Sequence, residues 1–181
     1  MGAFLFGLGL FTILTFGFDL FTGKVGYAVE NKPKYLVYLL IVWVGNLIGT
    51  VTCGYIIAVT RIGGNLVEKA SAIVETKCND NFVSLFVLAI FCGMLMFIAA
   101  DGYKNIKNPT GQMLVIFLPV MVFILSGFEH SIADMFYVSA AQNWNIDTAL
   151  RILVITAGNA VGGIFIPLFR KGIKTEPKKG E

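Results

Sequence analysis

A short polar run interrupts one of the most apolar parts of the chain and limits the folds that the chain can adopt. Residues 127–135 read GFEHSIADM, which places the only histidine, two acidic residues and a serine between apolar residues 113–125 and 136–141. Ionisable side chains inside membrane-grade sequence are costly and indicate a functional site by default. We therefore take Glu129 and His130 as the centre of the candidate site.

Two short patterns occur twice in the chain at similar spacing. A Gly–Phe–acid pattern is GFD at residues 17–19 and GFE at residues 127–129. A Gly–Asn pattern is GNLIG at residues 45–49 and GNAVG at residues 158–162, which begin 28 and 31 residues after the corresponding Gly–Phe–acid pattern. The sequence therefore predicts an internal duplication.

Composition places the chain among polytopic membrane proteins. Of its 181 residues, 56% are hydrophobic and only 14% are charged, which is far more apolar than a soluble domain. The net charge of +3 is small and most basic residues fall in short connecting stretches, so no nucleic-acid partner is expected. Three cysteines and one histidine fit neither a disulfide framework nor a metal or haem site. We expect no cofactor and no enzyme activity.

Hydropathy predicts five passes through a lipid bilayer. The passes cover residues 2–29, 35–59, 82–100, 111–141 and 150–169, and the first and fourth are broken by polar and glycine residues. Irregular backbone at membrane depth is tolerated only where it lines a cavity or is buried in protein. Residues 65–81 carry apolar residues at helical spacing and predict an amphipathic interfacial helix. Residues 1–169 are expected to form one transmembrane domain, followed by a basic tail at 170–181.

The distribution of basic residues predicts the orientation in the membrane. Ten of the fourteen Lys and Arg residues share one side, namely Lys24, Lys32, Lys34, Lys104, Lys107, Arg170, Lys171, Lys174, Lys178 and Lys179. The positive-inside rule places this side and the C-terminus in the cytoplasm. The two broken passes then run in opposite directions, as in inverted-repeat transporters. Only the second half has a full span before its broken helix, so five spans of an expected six are predicted, with a missing first span.

Three motifs carry a resemblance to a known family. DLFTG at residues 19–23, GFEHSIA at 127–133 and NAVGG at 159–163 resemble the signatures of the formate/nitrite transporter family of anion channels. The resemblance covers nearly the whole chain from the family's second span onward. It implies an all-α, aquaporin-like inverted repeat with two broken helices, in a homopentamer of the inner membrane. It also implies passage of a small monovalent weak-acid anion, such as formate, nitrite or hydrosulfide, with proton coupling.

The resemblance also implies roles for single residues. His130 corresponds to the central pore histidine, Thr22 to a loop threonine that hydrogen-bonds it, and Lys77 to a vestibule lysine that attracts anions. The implied pathway residues are completed by Asn46 and Asn159, which would hold free backbone groups of the broken helices. Asp19 and Glu129 would support the broken helix ends. Two apolar constrictions would be formed by Phe6, Leu10 and Phe123, and by Leu20, Phe21 and Met96.

Four positions depart from the family pattern close to these motifs. Asp19 stands where glutamate is usual, and Lys24 stands where asparagine is common. Asp134 stands where the family usually has asparagine, and Gly93 stands where many members have asparagine. From the sequence, Gly93 is expected to widen or loosen the wall near the inner constriction, formed by Leu20, Phe21 and Met96.

Each functional interpretation has a structural alternative. His130 could hydrogen-bond between helices without touching an anion, and Thr22 could simply cap a helix. Lys77, beside Glu75 and Asp80 in the sequence, could be a solvated surface charge. For the whole chain, the alternative to a channel is a truncated or non-conducting membrane subunit with a structural or interaction role.

Overall fold

The computed structural model describes residues 2–175 of the chain. Within this range the regular elements are all helical, as the sequence predicted. Their bounds are α1 (Gly2–Phe16), α2 (Phe21–Lys24), a 3₁₀ helix (Val25–Glu30), α3 (Tyr35–Ala58), α4 (Gly63–Asn79), α5 (Phe82–Asn105), α6 (Pro109–Leu125), α7 (Ser131–Ala140) and α8 (Ile146–Thr175).

Three of the described helices, α3, α5 and α8, are long and apolar enough to cross a membrane. A fourth span results if α1 is counted with residues 21–30, which bend away from it by 57°. The 17-residue helix α6 is apolar but shorter. The five predicted passes are therefore reached only if α6 and α7 together make one further broken span.

Both breaks begin with the same local structure. Gly17 and Gly127 have φ angles of 71° and 68°, in the left-handed region where a side chain is disfavoured. The next residue closes the preceding helix in each case, because the N–H groups of Phe18 and Phe128 donate to the carbonyls of Ile13 and Phe123, both at 2.9 Å. This is the Schellman arrangement that ends many helices, and it explains why the Gly–Phe pattern occurs twice.

Small residues let α8 lie directly against α5. A Cβ atom on Gly162 would overlap the backbone of Ile90, so the two helices could not approach as closely with any other residue there. Gly93 lies in the same contact, because its Cβ would overlap the backbone of Asn159. The expectation that Gly93 widens the pore wall is therefore wrong, since this position faces α8. In the first copy of the repeat, a Cβ on Gly45 or Gly49 would meet open space.

Helices α4, α5 and α8 differ slightly from the ranges predicted for them. Helix α4 buries Ala70 and Val74 on the face that packs against α7 and α8. Helix α5 continues five residues past its predicted end at residue 100, and this extension contains Asp101, which is buried and paired with Arg170. Residues 170–175 of the predicted tail continue α8 as helix, and residues 176–181 lie outside the described residues.

Candidate functional site

The side chains of Asn46 and Asn159 hold the two breaks by the same pair of hydrogen bonds. Asn46 Oδ1 accepts from Phe21 N at 2.9 Å, and its Nδ2 donates to the carbonyl of Asp19 at 3.0 Å. Asn159 Oδ1 accepts from Ser131 N at 2.9 Å, and its Nδ2 donates to the carbonyl of Glu129 at 2.8 Å. These bonds satisfy backbone groups that a helix leaves free where it is interrupted.

Asn159 makes one bond that its counterpart lacks. Its Nδ2 also donates to the carbonyl of Ala89 on α5 at 2.8 Å, and the residue is fully buried. Asn46 is partly exposed on the cavity wall. Of these two predicted pathway residues, the structure therefore places only Asn46 where a solute in the cavity could reach it.

The histidine and the threonine come together from opposite halves of the chain. Thr22 Oγ1 lies 2.9 Å from His130 Nε2, and both residues are buried. The other ring nitrogen of His130, Nδ1, accepts a hydrogen bond from the backbone N–H of Ala133 at 3.1 Å and so caps α7. An acceptor at Nδ1 leaves the ring hydrogen on Nε2, which donates to Thr22. His130 is thus held as a neutral imidazole with its N–H directed at the opposite half.

An apolar cavity of about 580 Å³ adjoins this pair. His130 is on its wall, together with four of the six predicted constriction residues, Phe6, Leu10, Leu20 and Met96. Phe123 lies behind this wall and stacks on the His130 ring at a centroid distance of 5.7 Å. Phe21 is buried in the core instead.

Five of the six predicted constriction residues therefore lie on the wall or directly behind it, and Phe21 does not. Within one predicted constriction, the Phe6 ring packs edge-on against the Phe123 ring, with a centroid distance of 5.4 Å.

Several cavity residues were missed in the sequence. Helix α3 contributes a stripe of small residues and α7 contributes its first turns, namely Gly45, Gly49, Thr50, Cys53, Ile132, Ala133, Phe136 and Tyr137. The Gly45–Gly49 spacing, which places two residues without side chains one helical turn apart, is the signal that could have indicated this wall.

Lys77 does not extend freely into a vestibule. Its ammonium contacts the carboxylate of Glu129 and lies 3.0 Å from Asp134 Oδ1. The Lys77 side chain is only 15% exposed. Burial alone lowers the pKa of Lys77, but the Asp134 and Glu129 carboxylates outweigh it and hold the pKa above its ordinary value. Both expectations for Lys77, a solvated charge and an open anion attractor, differ from this buried ion pair.

Asp19, the acid of the first copy, has a different environment from Glu129. Its carboxylate pairs with Lys24 at 2.9 Å, and its side chain is 40% exposed. The two breaks are therefore alike in backbone but not in charge. At the second break, Glu129 is paired with Lys77 of α4. At the first break, Asp19 is paired with Lys24 of the adjoining short helix α2.

Two interrupted helices whose new starts meet at a buried His–Thr pair beside an apolar cavity define a class of membrane channels and transporters. Within this class, the family model for formate/nitrite transporters matches residues 1–170, and the chain belongs to that family. The prediction that the chain is not an enzyme agrees with this membership.

Three known proteins illustrate the similarity. The chain is 28% identical to the formate channel BtFdhC of Bacillus thuringiensis, over 90% of this chain and 68% of that protein. It is 29% identical to the uncharacterized transporter YrhG of Bacillus subtilis (strain 168), over 93% of this chain and 69% of that protein. The solved structure of a pentameric formate channel with formate bound matches with a TM-score of 0.78 and 26% identity, covering 97% of this chain and 82% of that one.

Proposed function

We propose that the chain is the subunit of a channel for small monovalent weak-acid anions, with formate the first candidate. The observation that carries this proposal is the 2.9 Å contact between Thr22 and His130, beside a cavity whose other walls are almost entirely apolar. A few hydrogen-bonding groups in a largely apolar passage suit a small solute that has little charge to solvate.

The apolar walls favour passage of the neutral acid. Moving an unpaired carboxylate out of water into an apolar site is costly, and protonation removes most of this cost. Phe6 and Leu10 of one predicted constriction, and Leu20 and Met96 of the other, would impose that cost on any hydrated ion. We infer that the anion takes up a proton in transit, which couples anion and proton movement.

His130 would assist this protonation through Nε2. Its N–H can turn from Thr22 to an anion oxygen and disperse the negative charge before a proton arrives. Protonating His130 itself would place a hydrogen on Nδ1 and break the bond from Ala133 N. The neutral ring is therefore the resting form, and a proton passes through it only while that helix cap is open.

The assembly and orientation are also part of the proposal. The similar formate channel is described as pentameric, and we propose a homopentamer with one pathway in each subunit. The broken α6–α7 pair would form a fifth span in a multi-pass subunit of the inner membrane. The excess of basic residues on one side favours a cytoplasmic C-terminus.

Flux into proteoliposomes tests the function directly. Vesicles containing the purified chain are given gradients of formate, nitrite or hydrosulfide, and the assembly state is measured in the same preparation. We expect saturable, pH-dependent formate flux that His130→Ala abolishes without loss of the pentamer. Unchanged flux in His130→Ala would remove the proposed role of the histidine. No flux from an intact wild-type pentamer would instead favour a non-conducting subunit.

A further inference from the structure

The buried cluster around Lys77 contains more negative than positive charge. Lys77 supplies one ammonium, whereas Glu129 and Asp134 supply two carboxyl groups, with side chains 8% and 3% exposed. If both carboxyl groups were ionised, the cluster would carry a net charge of −1, buried beside the first turn of α7. An unpaired buried charge is strongly disfavoured, and closely placed carboxylates share a proton for this reason.

The hydrogen bonds of the cluster indicate where a proton fits. The Glu129 and Asp134 carboxyl groups both lie against the Lys77 ammonium, and two ionised carboxylates would have no hydrogen to donate to each other. Asp134 Oδ2 is buried and has no donor among the described residues, whereas Oδ1 faces the Lys77 ammonium. A hydrogen on Oδ2 supplies the missing donor and removes the excess charge.

Asp134 is the better of the two positions for this proton. Glu129 makes the closest contact with the Lys77 ammonium and is less deeply buried, so its negative charge is the better compensated one. Burial disfavours the charged form most where the counter-ion is further away. The ion pair is therefore Lys77 with Glu129, and Asp134 completes the cluster as a neutral acid.

We propose that Lys77, Glu129 and Asp134 form a proton-binding site in which Asp134 carries the dissociable proton. When this proton is released, the Asp134 O–H bond breaks, the electron pair stays on the carboxylate and the proton passes to water. The cluster charge then changes from 0 to −1. Because the Asp134 backbone N–H donates to the carbonyl of His130 at 2.9 Å, the charge appears one helical turn from the histidine.

The other titratable groups around Asp134 leave this balance unchanged. Cys92 on α5 and Tyr137 on α7 face the cluster, and both are neutral groups whose ionisation would add further negative charge. Helix α3 packs against α7 but its sequence contains no charged residue. Arg151 on α8 lies close to Lys77, but its guanidinium is bound to the carbonyls of Lys77 and Asp80 and to the carboxylate of Asp147.

The consequence for transport rests on the proposed channel function, whereas the protonation itself does not. A cluster charge of −1 near His130 repels an arriving anion, so flux should fall as pH rises and Asp134 loses its proton. One unit charge at ~10 Å in a medium of intermediate dielectric constant corresponds to a change of about tenfold in anion occupancy. Asp134 would thereby make anion flux through the channel higher at acidic pH than at alkaline pH.

Infrared difference spectroscopy of the purified full chain in lipid tests the protonation. We expect a carbonyl band of a protonated carboxylic acid that disappears as pH is raised, shifts when aspartate carboxyl carbons are labelled with ¹³C, and is missing in Asp134→Asn. Glu75→Gln, which removes an exposed carboxylate from the same helix as Lys77, should keep the band. No such band, or a band that ignores aspartate labelling, would overturn the proposal. The labelling experiment needs no variant, so it holds even if Asp134→Asn folds poorly.

Formate flux measured in parallel separates this proposal from the channel itself. Over the pH range in which the band disappears, flux should fall in wild type and in Glu75→Gln by a factor about ten times larger than in Asp134→Asn. Equal pH dependence of flux in wild type and Asp134→Asn would refute the effect of Asp134 on transport. If the band is present but nothing is transported, the channel proposal fails while the proton site stands; if transport occurs without the band, the reverse holds.

Discussion

Asn46 and Asn159 occupy the same position relative to the two breaks, and each accepts from one backbone N–H and donates to one backbone carbonyl there. The bonded residues also correspond, because each asparagine spans the acid of the Gly–Phe–acid pattern and the residue two positions later. The duplication seen in the sequence is therefore preserved at the level of single hydrogen bonds. The surroundings differ, since Asn159 is fully buried and also reaches α5.

This difference predicts unequal stability losses when each asparagine is removed. Asn159→Ala leaves two buried backbone groups at the break without their partner, and we expect a loss of about 3 kcal/mol in unfolding free energy. Asn46→Ala exposes its groups to the cavity and should cost about 1 kcal/mol. Unfolding in mixed micelles by denaturant measures both. Equal losses would contradict the argument from burial.

The two left-handed glycines give a second prediction. Gly17→Ala and Gly127→Ala should each destabilise the protein by about 1–2 kcal/mol, because φ near +70° is unfavourable for a residue with a Cβ. Neither change causes a clash, since the space around both positions is open. Gly64→Ala, in α4 with equally open surroundings, is the control and should be neutral or slightly stabilising. Thermal unfolding midpoints compare the three, and a neutral Gly127→Ala would argue against the Schellman closure.

The contact between Thr22 and His130 predicts a specific requirement for a hydroxyl. Thr22→Val keeps the shape of the side chain but leaves Nε2–H without its acceptor, and we expect formate flux to fall about tenfold or more. Thr22→Ser retains the hydroxyl and should keep most of the flux. The measurement is initial uptake into proteoliposomes at equal protein density. Equal flux in the valine and serine variants would show that Thr22 only fills space.

The ion pair between Asp101 and Arg170 predicts a rescue by a second substitution. Arg170→Gln leaves the nearly buried Asp101 carboxylate, whose Oδ2 lies 2.8 Å from the guanidinium, without its cation. We expect the unfolding free energy to fall by about 1 kcal/mol. The decrease is small because the arginine is partly exposed. Adding Asp101→Asn should restore most of it, since the neutral amide needs no counter-ion. A double-mutant cycle on the unfolding free energies measures the coupling, and purely additive losses would contradict it.

The sequence by itself determined the helical membrane class, the duplication and the two breaks. These features are encoded locally: apolar stretches of membrane length, Gly–Phe pairs that end helices, and a polar run that no lipid-facing helix would carry. The polar run indicated His130, whereas Thr22 and both asparagines became candidate residues only through the family resemblance. The structure brings His130 and Thr22 into contact across 108 positions of sequence.

Only the tertiary structure decided the partners of the charged and small residues. Lys77 and Glu129 lie 52 residues apart in the chain, and neither position shows that α4 folds its lysine onto the second break and buries it with Asp134. Gly93 faces Asn159 rather than the cavity for the same reason, because the angle at which α5 crosses α8 depends on how all side chains of both helices pack. Long-range pairing of this kind is set by the packing of whole helices, which no short stretch of sequence contains.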